Sequence, residues 1–162
     1  MRILITGANG FVGRHATTEL AAAGNRVVAM DQTPPPARPG IAESIGADLR
    51  DGQAMEDLVR RIQPEACLHL AGITFVPQTQ KDPALTFAVN VSGTIQLLEA
   101  FRRHAPRARV LVVTSAQIYG PAGEPSTAPL DETTPFQPDT LYSISKAAAD
   151  QITLFYARQY AM

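Results

Sequence analysis

Tryptophan is absent, and a single cysteine, Cys67, stands among 162 residues. One thiol cannot close an internal disulfide, and within the apolar run ACLHLAG it reads as a small core residue, not a redox or metal centre. Charge is sparse and balanced: Asp, Glu, Lys and Arg make up 18% of the chain, and the formal net charge is −1. That balance gives no electrostatic footprint for nucleic acid or for an anionic membrane surface. No uninterrupted apolar run approaches the roughly 20 residues that a membrane-spanning helix needs. The opening MRILITG runs into a glycine turn too early to hold the apolar stretch of a signal peptide. A cytoplasmic protein is expected. No His, Cys and carboxylate grouping has metal-ligand spacing, so no metal is expected. Internal repeats are lacking as well.

What is present is a globular composition, 45% hydrophobic, in a length that suits one domain with a real core. Short apolar runs alternate with segments of helical period. The runs at 2–6, 26–31, 66–70 and 109–115 are nearly all apolar and do not alternate, as expected of parallel strands buried on both faces. A weaker strand is expected near 44–48. Helices are expected at about 11–23, 53–62, 83–104 and 141–160; in the third, Phe87, Val91, Ile95, Leu98 and Phe101 form an apolar stripe. Strand–helix alternation predicts βαβ units and so an α/β doubly wound parallel sheet, a Rossmann fold. Two proline-rich stretches, 32–40 and 120–139, read as surface loops. The second is long for a compact domain and is expected to be functional, folding over the active site. The helical pattern is still running at Met162, with no stop signal after it.

The strongest local signal is TGANGFVG at 6–13, between the first strand and the first helix. Gly7 permits the tight turn, Gly10 a close approach of backbone to a pyrophosphate, and Gly13 close helix–strand packing. The helix N-terminus then offers free amides and a positive dipole end to phosphate oxygens. Asp31 closes the second strand, where a carboxylate accepts hydrogen bonds from the adenosine ribose and repels a 2′-phosphate. NAD(H) is therefore favoured, with NADP(H) left possible by Arg38 in the following loop. Asp48 and Leu49 fall where a third strand would end, near an adenine. Leu70, Ala71 and Gly72 fall at the carboxyl end of a further strand, on the sheet edge where open α/β folds bind ligands.

The same edge should receive Ser115, which ends the run 109–115, and Tyr142 and Lys146, one turn apart on the last helix. Tyrosine alone ionises near pH 10, too high for acid–base work at neutral pH. A lysine ammonium and a positive nicotinamide beside it both favour the phenolate. The serine hydroxyl can hold a carbonyl or alcohol oxygen while the tyrosine gives or takes its proton.

Taken together, TGANGFVG, Asp31, HLAG, Asn90 in VNVSGT, TSAQIYG and YSISK resemble the extended short-chain dehydrogenase/reductase family, the NAD-dependent epimerases and dehydratases. The resemblance covers essentially the whole chain. It implies Ser115, Tyr142 and Lys146 as the catalytic trio, with Asn90 close by. It implies a cofactor seat made by Gly7, Asn9, Gly10, Phe11, Val12, Gly13, Asp31, Asp48, Leu49, Leu70, Ala71 and Gly72, with Tyr142 and Lys146. It also implies a homodimer through the helices at 83–104 and 141–160, and a nucleotide-sugar substrate. Family members continue for roughly as many residues again, so the C-terminal strand and substrate domain are expected to be absent from residues 1–162. Within the family the stretch around HLAGITFVPQ is most similar to GDP-4-keto-6-deoxy-D-mannose reductases. Dehydratases of the family carry a carboxylate two positions after the catalytic serine or threonine; here that position is Gln117, whose amide cannot take a proton. The expected activity is reduction of the C4 keto group of a GDP-linked 6-deoxyhexose. A C4 epimerase, a GDP-mannose 4,6-dehydratase-like enzyme and, from another class, a non-catalytic dinucleotide-binding module are the alternatives.

Overall fold

The four apolar runs, and the weaker fifth, become one parallel sheet: β1 (Arg2–Thr6), β2 (Arg26–Asp31), β3 (Ile41–Gly46), β4 (Ala66–His69) and β5 (Arg109–Val112). This computed structural model describes residues 1–120 and 130–162, so much of the long loop expected at 120–139 lies outside the described residues. Strand order is β3-β2-β1-β4-β5, with every neighbouring pair parallel. The chain winds from β1 outward to β3 and then resumes on the other side with β4. The strand order therefore reverses between β1 and β4, and their carboxyl ends, Thr6 and His69, are register partners there.

The absence of alternation in the strands is explained by the two layers that cover the sheet. On one face Leu4, Val28 and Met30 pack with Met55, Leu58 and Val59 of α2 (Gly52–Ile62) and with Leu97 and Phe101 of α5 (Gly93–His104). On the other, Ile3, Ile5, Val27 and Ala29 pack against Ala16, Leu20 and Ala21 of α1 (Phe11–Ala22). Cys67 is buried in the first of these clusters, and burial pushes its thiol pKa up.

Three boundaries differ from expectation. The third strand begins at Ile41 instead of 44, because it is an edge strand: it is only half-buried and carries Glu43, ion-paired to Arg61 at 2.6 Å. That blunts the apolar signal. Regular pairing in β5 ends at Val112, although Val113 still donates its N–H to the His69 carbonyl (3.1 Å). The expected helix at 83–104 is composite: α4 (Pro83–Phe87), a π-turn (Ala88–Ser92) and α5, preceded by α3 (Val76–Lys81), in which no helical period is legible. Asp82 separates α3 from α4 and caps the latter, its carboxylate accepting the Leu85 N–H at 2.9 Å. A π-turn inserts a residue into the helical register. The buried positions between Pro83 and Ile95 are consequently Thr86, Asn90, Gly93 and Thr94, while Phe87, Val91 and Ile95 of the expected stripe are half-buried. By length and apolarity Pro83–His104 resembles a membrane span, yet its apolar side is part of the packed core.

The last helix, α6 (Leu141–Tyr160), has the expected bounds. Its start is fixed by a reciprocal cap: Thr140 Oγ1 accepts the Ser143 N–H (3.0 Å) and Ser143 Oγ accepts the Thr140 N–H (2.9 Å). This cap sets the direction in which Tyr142 and Lys146 leave the first two turns.

Candidate active site

A cleft of about 590 Å³ opens at the carboxyl edge of the sheet, over the point where the strand order reverses. Its floor is the glycine turn. Gly7 has φ +72°, a left-handed conformation suited to glycine, and a Cβ there would lie 2.6 Å from the Ala71 nitrogen. Gly13 is packed as tightly: a Cβ would overlap the Gly7 carbonyl oxygen and lie 2.7 Å from Ala8 Cα. Gly10 is less confined: a Cβ there would have one heavy-atom neighbour, the Gly7 oxygen at 3.2 Å. It is also the N-cap of α1 and offers no side-chain cap, so the first amides of that helix remain available to a ligand.

At one end of the cleft lies Asp31, whose carboxylate accepts the backbone N–H of Asn9 (2.9 Å) and of Gln32 (2.7 Å). Nearby, Asp48 is held by the guanidinium of Arg50 (2.5–3.0 Å), which brings its pKa down to about 2. Toward the other end stand Tyr142 and Lys146, both largely buried. Lys146 Nζ donates to the Val113 carbonyl at 2.7 Å, and burial lowers the pKa of its ammonium. That bond ties α6 to the segment leading to Ser115.

Of the expected site residues, Gly7, Gly10, Phe11, Val12, Gly13, Asp31, Asp48, Leu49, Leu70, Ala71, Gly72, Tyr142 and Lys146 all line this cleft. Asn9 does not; its N–H steadies Asp31 and its side-chain amide donates to the Thr33 carbonyl. Arg38 is likewise off the cleft wall. Ser115 lines an adjoining hollow that shares Val113 and Thr114 with the cleft, and its hydroxyl accepts the Gln117 N–H (3.2 Å). Gln117 sits exposed on the short 3₁₀ turn that follows. Asn90 lies behind the wall: its amide oxygen accepts the Ile73 N–H (2.7 Å), and its nitrogen donates to the Ile73 carbonyl (3.0 Å) and Ser145 Oγ (3.0 Å). Sequence reasoning missed Arg50, Thr74 and Gln78 on the cleft wall. Arg50 was legible from its place beside Asp48 in ADLRD, whereas Gln78 depends on α3, which no periodic pattern announced.

The sequence pattern of the NAD dependent epimerase/dehydratase family matches residues 3–162. The chain belongs to that family. Among members of the epimerase/dehydratase family, it is 34% identical over 153 residues to a GDP-6-deoxy-D-mannose reductase of Pseudomonas aeruginosa, covering 94% of this chain and 46% of that protein. It is 32% identical to a UDP-glucose 4-epimerase of Lacticaseibacillus casei, with the same coverage of each. The fold superposes on the UDP-glucose 4-epimerase of Thermus thermophilus, solved in complex with NAD, with a TM-score of 0.89 and 33% identity, over 100% of this chain and 52% of that one. The chain thus spans about half the length of the relatives it matches.

Proposed function

We propose that this chain is the cofactor-binding and catalytic half of an NAD(H)-dependent nucleotide-sugar oxidoreductase, one that reduces the C4 keto group of a GDP-linked 6-deoxyhexose. The observation that carries the reading is the presence of Tyr142 and Lys146 in the same cleft as the glycine turn, with Lys146 bonded to the strand end that leads to Ser115. A dinucleotide fits the residues present. Gly10 leaves room for a pyrophosphate, the uncapped start of α1 supplies amides, and each oxygen of Asp31 has a further lone pair for a ribose hydroxyl. The bound dinucleotide supplies or takes up the hydride.

The chain's own side chains do the rest. Ser115 holds the sugar carbonyl oxygen by a hydrogen bond. Tyr142 would give its phenolic proton to that oxygen as the carbonyl becomes an alcohol. Lys146 presents positive charge to the phenolate that remains. The amide of Gln117 supplies no base for a C5 proton, which supports reduction over dehydration. The reading includes a homodimer through 83–104 and 141–160, supported by the exposed apolar side chains Ile144 and Phe155 on α6.

The test is Tyr142→Phe in the full-length protein. Turnover of a GDP-4-keto-6-deoxyhexose is expected to fall at least about a thousandfold, within the range that a positioned acid contributes, while NADH still binds. Residual activity within tenfold of the parent rejects the mechanism. The likeness to 4-epimerases favours one second reading, a C4 epimerase using the same trio. In that case sugar turnover proceeds without net consumption of NADH.

A further inference from the structure

Among the described residues, His69 is the one ionisable side chain buried at the carboxyl edge of the sheet without a part in the chemistry above. It is 3% exposed, and both ring nitrogens are engaged. Thr6 Oγ1 lies 2.6 Å from Nδ1 and Thr94 Oγ1 lies 3.1 Å from Nε2. The neighbours decide which nitrogen carries the proton. Thr94 gives its hydroxyl proton to the Asn90 carbonyl (2.7 Å), so it can only accept from the ring. Thr6 Oγ1 accepts the Ala71 N–H (3.2 Å), which leaves its own proton for the ring. One arrangement uses every donor and acceptor: a neutral imidazole with hydrogen on Nε2, donating to Thr94 and accepting from Thr6 at Nδ1.

The two ends of this chain of bonds are functionally distinct. Thr6 and Ala71 flank Gly7, the floor of the cleft. The Asn90 carbonyl belongs to the π-turn, where the helical register shifts, and the Asn90 side chain clamps Ile73 and reaches Ser145. Ser145 Oγ in turn donates to the Tyr142 carbonyl at 2.7 Å. Between the ends runs Leu70–Gly72. A Cβ on Gly72 would lie 3.0 Å from the Asn90 amide oxygen, so the segment is gripped from both sides.

The structure assigns His69 a positioning role: as the Nε2–H tautomer it joins, through Thr6 and Thr94, the glycine turn of the cofactor seat to the π-turn that carries Asn90, so that the seat and the start of α6 keep one spacing. The role rests on the functional reading above only for its effect on rate. Cofactor binding draws on the glycine turn, the start of α1 and Asp31, while the hydrogen bonds of His69 go only to Thr6 and Thr94, so binding is largely indifferent to His69. Hydride transfer needs the spacing and depends on it.

Two variants of the full-length protein test this. His69→Phe fills the space but bonds neither threonine; His69→Gln can accept from Thr6 through its oxygen and donate to Thr94 through its nitrogen. The expected result for His69→Phe is a hydride-transfer rate, at saturating NADH and keto-sugar, at least about tenfold lower, with the NADH Kd within about threefold of the parent. His69→Gln recovers most of the rate. A rate within twofold of the parent in His69→Phe overturns the role, as does a loss that His69→Gln fails to recover when both variants melt at the same temperature. Ring ¹⁵N shifts at pH 7 give a readout that needs no sugar substrate: a protonated Nε2 and unprotonated Nδ1 are expected, and the opposite tautomer or an imidazolium overturns the assignment. A parent protein that turns over no keto-sugar while showing the Nε2–H tautomer rejects the functional reading and leaves the tautomeric link standing.

Discussion

Gly10 and Gly13 are three residues apart in one turn, yet substitution to alanine should separate binding from stability. At Gly13 a methyl would overlap the Gly7 carbonyl oxygen and lie 2.7 and 3.0 Å from Ala8 Cα and C, all of it backbone. No flexible side chain can yield there, so α1 must move away from β1. Overpacking of this kind costs about 1–3 kcal/mol, and the absence of a soft neighbour puts Gly13→Ala near the upper end. At about 2–4 °C per kcal/mol for a domain of this size, the melting temperature should fall by about 6–12 °C. The start of α1 moves with the helix, and NADH affinity should fall at least about tenfold, the equivalent of about 1.4 kcal/mol. At Gly10 the backbone is ordinary, φ −66°, and the one close neighbour is the Gly7 oxygen at 3.2 Å. Gly10→Ala has only that one atom to displace, by a few tenths of an ångström, so it should cost no more than about 1 kcal/mol and melt within about 4 °C of the parent. Its methyl occupies the approach to the helix amides, so NADH binding should weaken at least about tenfold there too. Differential scanning calorimetry and isothermal titration with NADH measure both quantities. An unshifted melting temperature in Gly13→Ala, or full NADH affinity in Gly10→Ala, refutes this account of the turn.

Three further outcomes are expected. Asp31→Asn removes a charged acceptor whose bonds contribute about 1.5–3 kcal/mol each, so NADH affinity should fall at least about tenfold. Because the repulsion of a 2′-phosphate also goes, the NADH-to-NADPH affinity ratio should move toward one in parallel titrations, and an unchanged ratio contradicts the role given to that carboxylate. Phe101→Ala, at a position fully buried between the sheet and α2, should cost about 3–5 kcal/mol in urea unfolding, with less than about 2 kcal/mol pointing to a core that collapses around the gap. His69 has its pKa brought down from 6.5 to about 3 by burial and by the charge of Lys146, so between those values the unfolded chain binds the extra proton. Stability is then full above pH 6.5 and falls by up to about 1.4 kcal/mol per pH unit below it. Asp48 and Glu99, both held near 2 by arginine neighbours, lose their stabilising contribution only below about pH 4.5. The rise in stability between pH 4.5 and 6.5 that His69 contributes should therefore be lost in His69→Gln.

The sheet is legible where strands are buried on both faces. β1, β2 and β4 are continuous apolar runs because α1 covers one side and α2 with α5 the other, and their shortness, with glycine turns after β1 and β4 and prolines after β2, separates them from buried helix. Legibility fails where burial is partial. β3 carries Glu43 and Ser44 at a half-exposed edge, so its start reads late. α3 is six residues long and too short to display a period. The expected 83–104 helix is right in extent and wrong in phase: a fixed period of 3.6 runs straight through the π-turn, and the apolar stripe Phe87, Val91, Ile95 then reads as the buried face. The three polar residues that are buried instead, Thr86, Asn90 and Thr94, recur every four positions, and that spacing in an otherwise apolar segment is the available signal.

In the candidate site, residues whose chemistry or sterics demand one amino-acid type are readable. Gly7 and Gly13 must be glycine because backbone lies where a Cβ would go, and the pair Tyr142 and Lys146 shares a helix face by spacing alone. His69 is readable only as a satisfied strand-end histidine, since its two partners lie 63 and 25 residues away in sequence. A residue defined by what it connects has no local pattern. The same holds for Asn9, which the motif places in the cofactor seat and the structure uses to hold Asp31. Motifs record which residue types recur together; the direction of each hydrogen bond is decided by the fold, and here it is those directions that separate the residues facing the cleft from the residues that keep it in shape.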